Sequence, residues 1–221
     1  MTSIVYPTTN LKHVEQLNIV RGDGVYVYDD SGKEYLEGLA GLWCASLGYG
    51  NAELIEAITD QLKTLSYSHM FGGRTHNVVI RLAEQLSDML PVKNSKIFFA
   101  NSGSEANDSH IKMLRYYFNV TGEPQKKKII ALERSYHGVT VASAALTGLP
   151  ANHTHFDLPV DALGVIRAES PHYYRGRKDN ETEREFCERI IGNLEDLILR
   201  ENPETIAAFV AEPIGGASGV V

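Results

Sequence analysis

Four short stretches combine residue types that could do chemistry. Ser102-Gly103-Ser104 stands between an apolar run, Ile97-Phe98-Phe99, and a helical pattern that begins at Glu105. The opening turn of a helix leaves N–H groups unpaired and carries partial positive charge. Gly103 would let the backbone approach a ligand and the two hydroxyls would add donors, so the stretch suits an anion seat. A plain helix cap is the alternative. Ser135-Tyr136-His137-Gly138 places an aromatic ring beside an imidazole at a strand end, which could hold a flat heteroaromatic ring by stacking; the alternative is a core tyrosine with a surface histidine. In Glu212-Pro213-Ile214-Gly215-Gly216-Ala217 a carboxylate directly follows an apolar strand. It could orient a cationic ring or pair with an arginine, or simply be solvated in a turn. Gly41-Leu42-Trp43-Cys44, with Gly48-Tyr49-Gly50, puts the one tryptophan in a glycine-rich loop, as pocket wall or as core.

Other candidates carry less. His153 and His155 have metal-compatible spacing but no cysteine or carboxylate set beside them, so no metal is expected. Cys44 and Cys187 lack the context of a nucleophile, and two cysteines do not make a disulfide framework in 221 residues.

The elements that must position these stretches follow from periodicity. Gly24–Asp29 alternates, then Asp30–Lys33 supplies turn residues and Glu34–Glu37 returns, which predicts a β-hairpin. Asn51 is an N-cap for a helix with Leu54, Ile55, Ile58, Leu62 and Leu65 at helical spacing. A second helix is expected from about Asn77 to Leu90, stopping before Pro91. A strand over Lys96–Ala100 leads into the first stretch and then into a helix carrying Ile111, Leu114, Arg115 and Phe118. Ile129–Leu132 reads as a short buried strand, Thr182–Arg200 as a long charged helix, and Ala207–Ala211 as a last apolar strand. The segment from Ala151 to Asn180 reads as an irregular excursion. Strands alternating with helices predict an α/β fold with parallel βαβ units, whose ligands sit at the carboxyl ends of strands.

Composition bounds the rest. The chain is 43% hydrophobic and 22% charged with a net charge of -7, which argues against a general nucleic-acid or anionic-membrane surface. No apolar run reaches spanning length and no signal peptide is visible in MTSIVYPTTN, so a cytoplasmic, reducing location is the expectation.

Taken in order and at these distances, the four stretches resemble the class III aminotransferases, the ω-transaminase group that uses pyridoxal 5'-phosphate. Gly41-Leu42-Trp43-Cys44 resembles especially the amine–pyruvate branch. The resemblance implies fold type I of the pyridoxal-phosphate enzymes, with a small-domain segment over 1–66 and the first part of a large cofactor-binding domain, with a mostly parallel sheet, over 67–221. It implies that Ser102, Gly103 and Ser104 cup the cofactor phosphate, that Tyr136 stacks on its ring, and that His137 and Glu212 lie beside it. By the same resemblance Leu42, Trp43, Phe71 and Ala217 match the substrate pocket, with Phe71 serving the neighbour's site in a homodimer. The implied activity moves an amino group from an amine or ω-amino acid donor to a keto acid such as pyruvate. An aminomutase or decarboxylase on the same fold, or an inactive truncated chain, is the alternative. The Schiff-base lysine and the aspartate on the pyridine nitrogen match nothing here, so no catalytic residue is expected in this chain. The lysine is expected beyond Val221, in a longer enzyme of which this is the N-terminal portion.

Overall fold

The Asp29 side chain organises the first hairpin. In the computed structural model, which describes residues 3–221, its Oδ1 accepts from Ser31 N at 3.0 Å, Ser31 Oγ at 2.6 Å and Lys33 N at 2.9 Å, and its Oδ2 from Tyr35 Oη at 2.8 Å. One carboxylate thus closes the turn between β2 (Tyr26–Asp29) and β3 (Glu34–Leu36). A strand the pattern did not predict, β1 (Ile19–Asp23), pairs antiparallel with β2, giving the order β1-β2-β3.

These bonds, the Ser31 hydroxyl's first and the Tyr35 hydroxyl's next, hold the Asp29 carboxyl down from 3.8 to about 2. The unfolded chain therefore binds this proton more readily. Asp29 contributes stability above its unfolded pKa, and that contribution is lost as pH falls from about 4 towards 2. Asp29→Asn is expected to flatten that part of the acid limb in thermal melts taken against pH. An unchanged limb would mean that other carboxylates govern it.

The left-handed turn α1 (Ala40–Trp43) follows, then α2 (Ala52–Thr64) and α3 (Asn77–Met89). Asn51 caps α2 as expected, its Oδ1 accepting from Leu54 N at 3.1 Å. The apolar stripe of α2, Leu54 to Leu65, is exposed in this chain.

Residues 96–100 do not form the expected strand. Their side chains alternate between half-buried and exposed, as a strand's would, but no neighbouring strand pairs with them among the described residues. β-propensity alone does not make a ladder.

The second half is built on β4 (Lys128–Leu132), the centre of a parallel sheet ordered β5-β4-β6, with β5 at Val165–Ala168 and β6 at Ile206–Val210. β4 is a run of Ile129, Ile130 and Ala131 because both its faces are covered. Ile129 and Ala131 pack with Ile111 of α4 (Gly103–Val120) and with Ala145 and Leu146 of α5 (Val141–Leu146). Ile130 faces the other way, onto Leu197 of α7 (Glu183–Arg200). Parallel strands alternating with helices are as the pattern predicted.

β5 falls inside the expected excursion, together with a helical turn, α6 (Tyr173–Gly176). Its Arg167 hid it, breaking an otherwise apolar run. The side chain tolerates burial because its guanidinium donates to the carbonyls of Ala145, Leu146 and Thr147, where α5 ends. Thr182 caps α7 in a capping box with Glu185. Arg189 then ties α7 to Glu181 at 2.7 Å and to Glu169 at 3.1 Å, pinning the loop that precedes it.

Contacts divide the chain into one compact unit ending at Ser95 and a second from Lys96 to Val221. Among the described residues no helix is long and apolar enough to cross a membrane.

Candidate functional site

The first turn of α4 separates the two roles proposed for its small residues. Ser102 is the cap: its backbone is extended, its Oγ accepts from Glu105 N at 3.1 Å, and its carbonyl accepts from Ala106 N at 3.0 Å. The amides of Gly103 and Ser104 have no partner among the described residues. A Cβ built on Gly103 would meet nothing within 4 Å. Two N–H groups are therefore left unpaired at the positive end of an 18-residue helix, with open space on the Cβ side of Gly103. The carboxylate of Glu105, in the same turn, is drawn back onto Asn101 N at 2.9 Å.

One face of α4 then grips the loop that follows β4. Ser104 Oγ accepts from Val139 N at 3.0 Å, Asn107 Nδ2 donates to His137 O at 2.7 Å, and Asp108 Oδ1 accepts from Thr140 Oγ1 and Ser143 N, both at 2.9 Å. Positions 104, 107 and 108 are spaced three and four apart, so they share a helix face with Ile111. The approach is close enough that a Cβ on Gly138 would lie 2.5 Å from Ser104 Oγ. Inside the loop, fully buried Thr147 accepts from His137 N at 2.9 Å, and its one proton faces the carbonyls of Gly138 and Ser143 at 3.2 and 3.3 Å. Asn107, Asp108, Thr140, Ser143 and Thr147 were not singled out in the sequence, although the spacing from Ser104 was there to be seen.

Tyr136 and His137 take the opposite exposures from the core-tyrosine alternative. The Tyr136 ring is exposed, while His137 is only 7% exposed. Tyr136 N donates to Glu212 Oε2 at 2.8 Å, so the carboxylate after β6 holds the backbone that presents the ring. The structure thus joins Ser104, Tyr136, His137 and Glu212 in one hydrogen-bonded assembly beside the two open amides. His137 Nε2 is buried without a partner among the described residues. Burial pushes the imidazole pKa down, against the opposing pull of Glu212, and Arg167 adds to the depression. The ring is therefore neutral at neutral pH. These features fit a phosphate ester with an aromatic body: free donors for the anion, an exposed ring, and an orphaned buried nitrogen close by.

Ala217 is exposed in a loop whose hydrogen bonds run among residues 215–221. His153 of the histidine pair is tied to Thr147 O. Among the described residues no three His, Cys, Asp or Glu side chains are placed to hold a metal ion.

Leu42, Trp43 and Phe71 belong to the first unit. Phe71 is 84% exposed and opens a 3-10 turn. Trp43 and Leu42 are 60% and 63% exposed, so Trp43 is not core. They lie on an unusual backbone: φ is +49° at Ala40, +59° at Gly41, +56° at Leu42 and +66° at Trp43. Three non-glycine residues in succession with Gly41 adopt the left-handed region, at a cost of roughly 1–2 kcal/mol each. The sign of φ at a leucine or a tryptophan leaves no trace in composition, and sequence reasoning missed this turn.

The family model described as aminotransferase class III matches residues 8–221. Among curated proteins the chain is 52% identical over 209 residues to gamma-aminobutyrate transaminase 1, mitochondrial, of Oryza sativa subsp. japonica, covering 94% of this chain and 40% of that protein. It is 51% identical to the vanillin aminotransferase of Capsicum chinense, covering 94% of this chain and 45% of that one. Among solved structures, the omega transaminase from Pseudomonas jessenii in complex with PMP superimposes with a TM-score of 0.94 at 49% identity, over 99% of this chain and 48% of that one. The chain therefore spans somewhat under half the length of these relatives. With a family match over nearly its whole length and the parallel-sheet fold of its structural neighbours, the chain belongs to the class III aminotransferases.

Proposed function

We propose that this chain supplies the phosphate seat, the ring platform and one wall of the substrate pocket of a pyridoxal 5'-phosphate-dependent ω-transaminase. Its donor is an amine or ω-amino acid and its acceptor a keto acid such as pyruvate. The observation that carries this reading is the pair of unpartnered amides, Gly103 and Ser104, locked by Ser104, Asn107 and Asp108 to the loop that presents Tyr136. The Gly103 and Ser104 amides take the phosphate, Ser102 serves the seat as the cap that shapes its turn, Tyr136 covers a face of the ring, and Glu212 holds Tyr136 in place. His137, kept neutral by its burial, would add no positive charge to the site. Pyridoxal phosphate, when bound, supplies the electron-withdrawing ring on which an amino group passes from donor to acceptor.

Leu42, Trp43 and Phe71 in the first unit and Ala217 in the second are each assigned to substrate contact, with Phe71 serving the neighbouring subunit of a homodimer. Residues 1–66 form the small-domain segment and 67–221 the cofactor-binding part. Two exposed free cysteines suit a reducing, cytoplasmic location. The relatives named as gamma-aminobutyrate transaminases support an ω-amino acid among the donors. A solved relative at 48% identity, an omega transaminase variant carrying a tryptophan-to-glycine change, was engineered for synthesis of bulky amines. Trp43 is the tryptophan available in this chain for such a wall.

Transfer is tested by supplying the enzyme with cofactor, pyruvate, and either γ-aminobutyrate or an arylalkyl amine. Alanine formation is expected. Failure with every donor, in a protein that still binds the cofactor, would overturn transaminase activity and leave the seat standing. Trp43→Gly is expected to raise kcat/KM for a bulky aryl amine over a small one by roughly tenfold or more, the scale of pocket-size discrimination. An unmoved ratio in a folded variant would remove Trp43 from the wall.

A further inference from the structure

The left-handed turn α1 does not hold itself. Its two large side chains, Leu42 and Trp43, project outward, and its bonds among the described residues are all to residues 37–46, among them Trp43 N to Leu39 O at 3.0 Å, Ala45 N to Ala40 O at 2.8 Å and Ser46 Oγ to Trp43 O at 3.4 Å. What it packs against is Tyr49. A Cβ on Gly41 would stand 2.9 Å from the Tyr49 hydroxyl, so the phenol end rests on the turn's backbone. At its other end the ring covers Gly22 of β1, where a Cβ would fall 2.5 Å from Tyr49 Cγ. The Tyr49 backbone is clamped as well: Gly24 N donates to Tyr49 O at 3.0 Å and Tyr49 N to Gly24 O at 2.8 Å. Gly48 sits so close to Gly24 that a Cβ there would lie 2.8 Å from Gly24 O. Tyr49 thus spans from the hairpin to the turn through a slot kept open by two glycines.

We infer that Tyr49 is the positioning residue of the Trp43 turn: it transmits the rigidity of the β1-β2 hairpin to Gly41 and thereby sets where Trp43 stands, and with it the size of donor accepted. The second half rests on Trp43 being a pocket wall, as proposed above. In this role Tyr49 acts through the turn and not on the substrate itself. The fixed features are the ring and the glycine slot, while the hydroxyl is a lesser part.

Two measurements on the full-length enzyme, hydrogen exchange of the peptide over 39–49 and the bulky-to-small donor ratio of kcat/KM, separate the possibilities. In Tyr49→Ala the amides of Trp43 and Ala45 are expected to exchange about tenfold faster or more, reporting local opening, and the donor ratio to move the way Trp43→Gly moves it. Tyr49→Phe, which keeps the ring in its slot, is expected to restore protection and ratio. Gly22→Ala, which pushes the ring out, is expected to mimic Tyr49→Ala and to add nothing to it in the double variant. Should Tyr49→Ala fail to fold, Gly22→Ala gives the same measurements. Unchanged exchange overturns the proposal. So does faster exchange with an equal loss of kcat/KM for all donors, provided Trp43→Gly itself moves the ratio, because Tyr49 is then merely structural. If Trp43→Gly does not move the ratio either, the pocket-wall assignment fails, and faster exchange upholds the positioning of the turn alone.

Discussion

Replacing Gly103 with valine is expected to abolish phosphate-dependent stabilisation and to weaken cofactor binding by roughly a hundredfold to ten-thousandfold, the loss of two charge-assisted hydrogen bonds at about 1.5–3 kcal/mol each. Gly103 has an ordinary backbone conformation and open space beyond its Cα, so the valine side chain fits the fold. Because Gly103 does not have a left-handed backbone, nothing about the turn is strained by the valine. Its branched Cβ stands in front of the amides instead, where the anion must come. Thermal melts with and without inorganic phosphate read this directly, because a ligand that binds only the folded state raises the melting point with its concentration. Ser102→Ala is the control. It removes the hydroxyl that caps Glu105 N, costing about 1 kcal/mol whether phosphate is present or not. If wild type and Gly103→Val gain equally from phosphate, the seat lies elsewhere.

The two variants separate what the sequence left joined. Ser-Gly-Ser before a helix reads as a cap or as an anion seat; the cap is observed on Ser102, and the seat is our proposal for the two amides that follow. Ser102 caps; the Gly103 and Ser104 amides stay open. Elements whose information is local were legible: the Asp30–Lys33 turn, the Asn51 cap, the helix starting near Thr182 and the buried run of β4. Elements decided by a partner were not. Residues 96–100 alternate like a strand but pair with nothing, and β5 was hidden because the burial of Arg167 makes sense only beside the carbonyls that end α5. In the site, Tyr136 and Glu212 were visible as separate motifs 76 residues apart, whereas the 2.8 Å bond between them belongs to the folded sheet. The second rank, Asn107, Asp108 and Thr147, consists of ordinary polar residues whose meaning lies in which amide each one meets.

That second rank makes Gly138→Ala a strongly damaging single-methyl change in the site. The added Cβ would lie 2.5 Å from both Ser104 Oγ and Ser143 Oγ, and 2.9 Å from Ser104 Cα. A hydroxyl can often turn away, but neither of these is free. Ser104 Oγ accepts from Val139 N at 3.0 Å, and Ser143 Oγ bonds Thr140 Oγ1 at 2.6 Å. Ser104 Cα cannot yield without shifting the first turn of α4, which carries the open amides. Alanine at φ +130° adds backbone strain of its own. Overpacking at about 1–3 kcal/mol and strain of similar size together give roughly 2–6 kcal/mol of destabilisation. Urea unfolding should show it as a lower midpoint with an unchanged slope. The functional consequence follows from where the relief must come. The easiest escape separates the 136–140 loop from α4, moving Tyr136 away from the amides of Gly103 and Ser104. Cofactor affinity should therefore fall even at temperatures where the variant remains folded, while inorganic phosphate, which needs only the amides, should lose less. If Gly138→Ala keeps wild-type affinity for pyridoxal phosphate once folded, the grip of α4 on this loop does not set the distance between phosphate seat and ring platform.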